Sequence, residues 1–158
     1  MNPPTIRRAT AADQPGLARL FYETVMHNGP QHYTEAQTAA WAKAALDPIR
    51  FAQLLAAGTT FVMAADGDLL GFAGLAADGH VTALYVRGDR LGQGLGSQLM
   101  QTLLDYAQAE GILRLYAEAS EFSLGLFLKF GFRQFDTEVV KREGVEFQRY
   151  LVERHLFV

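Results

Sequence analysis

Apolar positions along the chain alternate between a helical and a strand period, and each change of period marks an element. Leu17, Leu20, Phe21 and Val25 form a helical stripe. Thr10 with Asp13 opens that helix as a cap, and Asn28-Gly29-Pro30 breaks it. Thr34 with Gln37 is a second capping box, opening an alanine-rich helix through Ala45. Asp47-Pro48 starts a third helix, with proline in the first position, that runs to about Ala57 before Gly58. The period then shortens to two. Thr59–Ala65, Leu69–Ala76 and His80–Val86 read as strands joined by Asp66-Gly67 and Asp78-Gly79, dipeptides that favour hairpin turns. Leu95, Leu99 and Leu103, with Met100 and Leu104 beside them, restore a helical stripe that ends near Gly111. Ile112–Glu118 is the next strand, parallel to His80–Val86 because a helix crosses between them. Ser123–Phe130 is a short helix stopped by Gly131. Arg133–Val140 and Val145–Glu153 make a last hairpin over Glu143-Gly144, and Thr5–Arg8 is an edge strand at the front. No linker or repeat interrupts this order, so residues 1–158 are expected to form a single domain.

One junction in this pattern carries chemistry. Gly92, Gly94 and Gly96 alternate between the strand ending at Val86 and the helix beginning near Leu95. Such glycines let backbone N–H groups converge without obstruction, and a helix N-terminus adds unpaired N–H groups and partial positive charge. The combination suits a pyrophosphate. From Gly94 to Leu104 there is no carboxylate, which leaves the first turns open to an anion. A glycine-rich connector without a ligand is the plain alternative. An NTPase phosphate loop is excluded because the segment has no lysine, and the dinucleotide fingerprint differs in spacing and place. Glu118 keeps a dinucleotide-dependent oxidoreductase open as a competing reading.

Composition narrows the classes further. The chain has 158 residues, a net charge of -3 and three lysines, Lys43, Lys129 and Lys141. This argues against nucleic-acid binding by a basic face. There is no cysteine, which excludes disulfides, a thiol nucleophile and thiolate metal sites. His27 and His32 lie five apart across Gly29-Pro30, a poor spacing for a metal pair, and no metal is expected. No apolar run approaches membrane-spanning length and the first residues lack an apolar signal core, so a cytoplasmic protein is expected.

The order β-α-α-α-β-β-β-α-β-α-β-β resembles the GNAT superfamily of acyl-CoA-dependent N-acyltransferases over nearly the whole chain. The motifs that carry the likeness are Leu84-Tyr85-Val86 followed by Leu91-Gly92-Gln93-Gly94-Leu95-Gly96, and Phe127-Leu128-Lys129-Phe130-Gly131-Phe132. His32-Tyr33-Thr34, Gln37 and Ala40-Trp41 are similar to a small bacterial branch of that superfamily. The resemblance implies an α/β fold with a mixed, mostly antiparallel twisted sheet of about seven strands flanked by helices. It also implies transfer of an acetyl group from acetyl-CoA directly to a primary amine of a small molecule or protein. A non-catalytic acyl-CoA-binding or sensing module of the same fold is the alternative. Leu84, Tyr85, Val86, the run Leu91 to Ser97, Ser120 and Phe127 would hold the cofactor. Leu91 replaces the usual Arg or Gln, and Phe127 stands where the family commonly has a tyrosine as general acid.

Amine acylation needs a neutral amine, a polarised thioester carbonyl and a tolerable leaving group. The resemblance assigns the oxyanion contact to the Val86 backbone N–H. It makes His80 the base or water relay, with Thr82 on the same strand face to hold a water. An imidazole, with a reference pKa near 6.5, suits proton removal at cellular pH. A surface histidine flanking a turn is the alternative for His80. His32 and Tyr33 would wall the acceptor site, or else pack as a helix entry. Trp41 reads as core or pocket wall, and Glu118 would select a cationic acceptor or pair with an arginine. The partners implied are acetyl-CoA and an amine, with no nucleic acid and no membrane; a homodimer is compatible.

Overall fold

A computed structural model describes residues 2–90 and 92–156. The order of elements is the expected one. β1 spans Thr5–Arg8, α1 Gln14–Asn28, α2 Glu35–Ala42, α3 Pro48–Ala56, β2 Thr59–Ala65, β3 Asp68–Leu75 and β4 Val81–Val86. After it come α4 at Leu95–Ala109, β5 at Arg114–Ala119, α5 at Leu124–Lys129, β6 at Arg133–Arg142 and β7 at Val145–His155.

The strands form two antiparallel sheets, β1-β2-β3-β4 and β5-β7-β6. Among the described residues a single parallel bridge, His80 to Tyr116, joins them. Two apolar clusters sandwich the first sheet. On one face α4 contributes Leu99, Met100 and Leu103 against Met63, Ala73 and Leu115. On the other, Leu17, Phe21 and Val25 of α1 and Phe51 of α3 pack on Val62 and Phe72. The alternation of Phe61, Val62 and Met63 between the clusters is the period-two pattern of a strand buried on both faces.

Local chemistry sets the element ends. The Thr34–Gln37 box closes in both directions, at 2.9 and 3.0 Å. Asp47 accepts from the N–H groups of Ile49 and Arg50, capping α3. Several ends differ from the sequence reading, with β3 at Asp68–Leu75, β6 running on to Arg142 and β7 to His155; two further differences have a local cause. The second helix stops at Ala42 and tightens into a 3-10 turn over Lys43–Leu46, because Asp47 precedes proline and is held extended. β5 begins at Arg114 rather than Ile112. The Ile112 N–H bonds the Ala107 carbonyl at 2.9 Å and Gly111 the Gln108 carbonyl at 3.2 Å, so a Schellman cap takes up these residues.

Candidate active site

Where β4 and β5 part, an open cleft of about 930 Å³ forms. Its vertex is Gly79-His80. The Tyr116 N–H donates to the Gly79 carbonyl at 3.0 Å, and a Cβ on Gly79 would collide with the Arg114 carbonyl oxygen. The two strands approach this closely only because that residue has no side chain. Toward Val86 the β4 edge is unpaired on the cleft side. The Arg87 N–H bonds the Leu70 carbonyl at 2.8 Å, so Gly71 and Val86 are a non-hydrogen-bonded pair. The N–H and C=O groups of Val86, and by alternation those of Leu84, therefore face the gap. Tyr85 differs: its backbone faces β3, and its ring stacks on Phe72 at 5.3 Å, walling the cleft.

The glycine junction closes the far end. Gly92 and Gly94 have φ of +81° and +77°, a conformation that favours glycine, and Gly94 caps α4. The first bonded amide of that helix is Gln98, which reaches the Gly94 carbonyl at 3.1 Å. Leu95, Gly96 and Ser97 are thus left with N–H groups that have no intrahelical partner. No acidic residue lies in the first turn, and the Lys129 ammonium donates to the Ser97 hydroxyl at 3.1 Å. Free N–H groups, a helix dipole and a nearby cation fit a pyrophosphate. Gln93 lines a separate, smaller hollow, and Leu91 lies outside the described residues.

The titratable centre sits at the vertex. His80 Nε2 contacts both carboxylate oxygens of Glu118, at 2.8 and 3.1 Å. Its ring stacks on Tyr116 with centroids 4.9 Å apart, and its backbone N–H donates to Asp78. The Glu118 carboxylate, as hydrogen-bond acceptor, raises the imidazole pKa above its usual value despite the opposing effect of burial. The same contact lowers Glu118 below the ordinary carboxylate range. Arg149 stands 4.0 Å from Glu118 on the other side and bonds Glu138. Glu118 is therefore already engaged by the His80 imidazole and by the Arg149 guanidinium. The reading in which it selects a cationic acceptor gives way to one in which it holds His80. Thr82 is the extra residue of a β-bulge, since Gly74 pairs with Ala83 and Leu75 with Val81. Its Oγ1 occupies the space left by the missing Gly74 side chain, is sealed from solvent and has no hydrogen-bond partner. In this rotamer the hydroxyl is not open to a relay water.

Aromatic rings make the facing wall. Tyr33 lies 5.5 Å from Trp41, 5.8 Å from Phe122 and 5.9 Å from Phe147. The Tyr33 hydroxyl accepts from the Glu121 N–H at 3.1 Å. Burial raises the phenols of Tyr33 and Tyr85, the latter to about 12, so both keep their protons at working pH. His32 is exposed, edge-on to Phe122 at 4.7 Å, and does not line the cleft; its expected role in orienting the acceptor finds no geometry here. The Ser120 hydroxyl accepts from the N–H groups of Phe122 and Ser123, both at 3.2 Å, and Ser120 also lines the cleft. Phe127 is buried edge-on against Phe132 at 4.9 Å and forms part of the wall. Among the described residues no cluster of three or more His, Asp or Glu side chains is placed to hold a metal ion.

Sequence reasoning missed Asn28, Phe122, Phe147, Arg142 and Arg149, all of which line the cleft. For the last three a signal exists. Arg142, Phe147 and Arg149 share one face of the β6–β7 hairpin, as the pairings Arg142–Val145, Val140–Phe147 and Glu138–Arg149 show. Only knowledge of which face meets the cleft was lacking.

The family model for an acetyltransferase (GNAT) domain matches residues 30–154. A curated relative, an L-methionine sulfoximine/L-methionine sulfone acetyltransferase from Pseudomonas paraeruginosa, is 30% identical over 145 residues, covering 81% of this chain and 79% of its own. Among solved structures, a GCN5-related N-acetyltransferase from Rhodopseudomonas palustris superposes with a TM-score of 0.92 at 29% identity, over 99% of this chain and 98% of that one. The PaiA N-acetyltransferase from Thermoplasma acidophilum, solved with coenzyme A, shares the fold with a TM-score of 0.79 at 16% identity, over 98% of this chain and 100% of its own.

Proposed function

The chain belongs to the GNAT acetyltransferase family and is an N-acetyltransferase, and we propose that it acetylates a small amine from acetyl-CoA in the cleft between β4 and β5, with His80 as base. The observation that carries this is the His80–Glu118 pair at the vertex of a cleft whose other end is the glycine-capped helix. The relative's acceptors are small molecules, which supports a small amine over a protein chain. The whole of residues 1–158 acts as one catalytic domain in this reading, of which the family model spans 30–154.

The thioester supplies an activated acetyl carbon. The residues of this chain do the rest. Gly92–Ser97 N–H groups and Lys129 hold the phosphates, and the Leu84 and Val86 backbone holds the pantetheine arm. The Val86 N–H faces the gap and donates to the carbonyl oxygen as negative charge develops there, a contribution of roughly 3 kcal/mol in comparable sites. With Glu118 ionised, His80 donates from Nε2 and presents Nδ1 as the base. Nδ1 takes the amine's proton, directly or through a water, as the C–N bond forms. The C–S bond then breaks. A thiol with a reference pKa of about 8.5 leaves as thiolate near neutral pH. Phe127 therefore does not have to be replaced by another acid. Thr82 reaches a relay water only by turning its hydroxyl out of the Gly74 notch.

A cytoplasmic location, a monomer or homodimer, and the absence of nucleic-acid and membrane partners complete the reading. The acidic net charge supports it, as does the lack, among the described residues, of a helix long and apolar enough to cross a membrane. Free-thiol release from acetyl-CoA with a panel of amines tests the whole. Acetyl-CoA should raise the melting temperature, NADH and ATP should not, and at least one small amine should release thiol. Acetyl-CoA binding without thiol release from any amine would leave only a binding module.

A further inference from the structure

β5 carries a ladder of three polar side chains. Arg114, Tyr116 and Glu118 share one face of the strand, while Leu115, Ala117 and Ala119 are buried on the other. The bridge between His80 and Tyr116 sets the imidazole beside the middle rung. The imidazole lies on the phenol with centroids 4.9 Å apart and planes inclined by 17°. Glu118, one rung on, takes Nε2 at 2.8 Å. Arg114, one rung back, holds its guanidinium 4.8 Å from the phenol centroid. The supports come from both sides of β5. His80 approaches from the β4 side, and Glu153, which holds the Arg114 guanidinium at 2.9 Å, belongs to β7. Asp78 completes the frame. One of its carboxylate oxygens accepts from the Tyr116 hydroxyl at 2.6 Å, the other from the His80 backbone N–H at 3.0 Å.

Glu118 alone does not fix the direction of Nδ1. A contact at Nε2 leaves the ring free to turn about that point, and the outer torsion of histidine has a broad energy profile. His80 is partly exposed, so close packing on all sides does not supply the missing restraint. The phenol face does, because a stacked neighbour sets the plane of the imidazole. A fixed plane and a fixed Nε2 together aim Nδ1. Tyr116 itself is not part of the cleft wall, so its route to the reaction runs through His80.

Resting on the reading of His80 as base, we propose that Tyr116 is a positioning residue for the acetyl transfer. Held by Asp78 and Arg114, its ring sets the plane of the His80 imidazole so that Nδ1 faces the amine. The aromatic face is what the reaction needs at this position, and the hydroxyl anchors that face through Asp78.

The test is thiol release from acetyl-CoA with the fastest amine of the panel above, in variants that keep or remove the ring. Tyr116→Leu should lower kcat about tenfold, the scale of a misdirected catalytic group, with the acetyl-CoA KM within about twofold. Tyr116→Phe keeps the face and should retain about a third of kcat or more. Asp78→Ala, at an exposed turn, should lower kcat severalfold and serves if Tyr116→Leu does not fold. In the His80→Ala background Tyr116→Leu should cost nothing further, because no base is left to aim. Proton NMR reads the stack without turnover. The His80 ring protons, assigned by their loss in His80→Ala, should lie upfield in the wild type and in Tyr116→Phe, and return toward free-histidine values in Tyr116→Leu. A fully active Tyr116→Leu, a Tyr116→Phe as impaired as Tyr116→Leu, a loss that persists without His80, or unshifted His80 protons in the wild type each overturns the proposal. A His80→Ala variant within about threefold of the wild type would instead remove the reading on which the proposal rests.

Discussion

The two ends of the cleft are built from different materials. The cofactor end is backbone: unpaired N–H groups at Leu84, Val86 and the start of α4, arranged by strand pairing and two left-handed glycines. The acceptor end is side chain: four rings, three arginines and the His80–Glu118 pair, drawn from five separate segments. A backbone site is indifferent to most substitutions but fails when the chain conformation is blocked. A side-chain site changes selectivity with single substitutions while its neighbours stay in place. The fold thus keeps one end fixed in chemistry and leaves the other free to vary.

The sharpest way to break the comparison is at Gly94. Gly94→Glu forces a side chain into φ +77° and places a carboxylate where phosphate should lie. Acetyl-CoA binding should be lost. The roughly 2.7 kcal/mol of stabilisation expected at a hundred times the dissociation constant should vanish from the thermal shift. A folded variant with unchanged affinity would mean that the loop is only a connector. Next in size is His80→Ala, which should lower kcat by roughly 10²-fold with the acetyl-CoA KM nearly unmoved. A loss under threefold would make His80 a bystander.

Smaller, and aimed at the coupling within the acceptor end, is Glu118→Gln. His80 works as a base only when unprotonated, so activity falls as pH drops through its pKa. Glu118 raises that pKa, which places the acidic limb above the usual imidazole value of about 6.5. The variant should move the limb to lower pH, with a modest fall in the plateau; a limb that stays put would show that Glu118 does not hold the base. The pair also has a stability window. Glu118, with its lowered pKa, contributes above its unfolded value and is lost as pH falls through the folded one. His80, with its raised pKa, contributes below its unfolded value and is lost as pH rises through the folded one. Both describe one interaction, strongest between the two folded pKa values. The smallest effect belongs to Phe127→Tyr, which should leave acetyl-CoA affinity within about twofold and hold or raise turnover. Loss of binding would show that the Phe127–Phe132 contact tolerates no hydroxyl.

What the sequence made legible follows the same division. Strands, hairpins and helix caps were readable because their signals are local: Asp-Gly turns, Thr34 with Gln37, Asp47 before Pro48. The cofactor end was readable for the same reason, since its glycines and its helix are neighbours in the chain. The pairing of His80 with Glu118 joins residues 38 apart, and Arg149 reaches Glu118 from a third strand. No local pattern reports such contacts. They depend on which face of the last hairpin meets the gap, and that is settled by packing. The Thr82 bulge was invisible for a related reason, because it appears only as a mismatch between two strands.

The bridge between His80 and Tyr116 makes the two sheets a pair of arms on one pivot. Val86 lies six residues along its arm, about 20 Å from the pivot at strand spacing. If the sheets swing a few degrees apart to admit or release a bulky ligand, Val86 travels on the order of an ångström or more, while His80, at the fulcrum, hardly moves. Opening the gap therefore disturbs the grip on the thioester and spares the base. Capture and release of one substrate can proceed by leverage without dismantling the group that deprotonates the other.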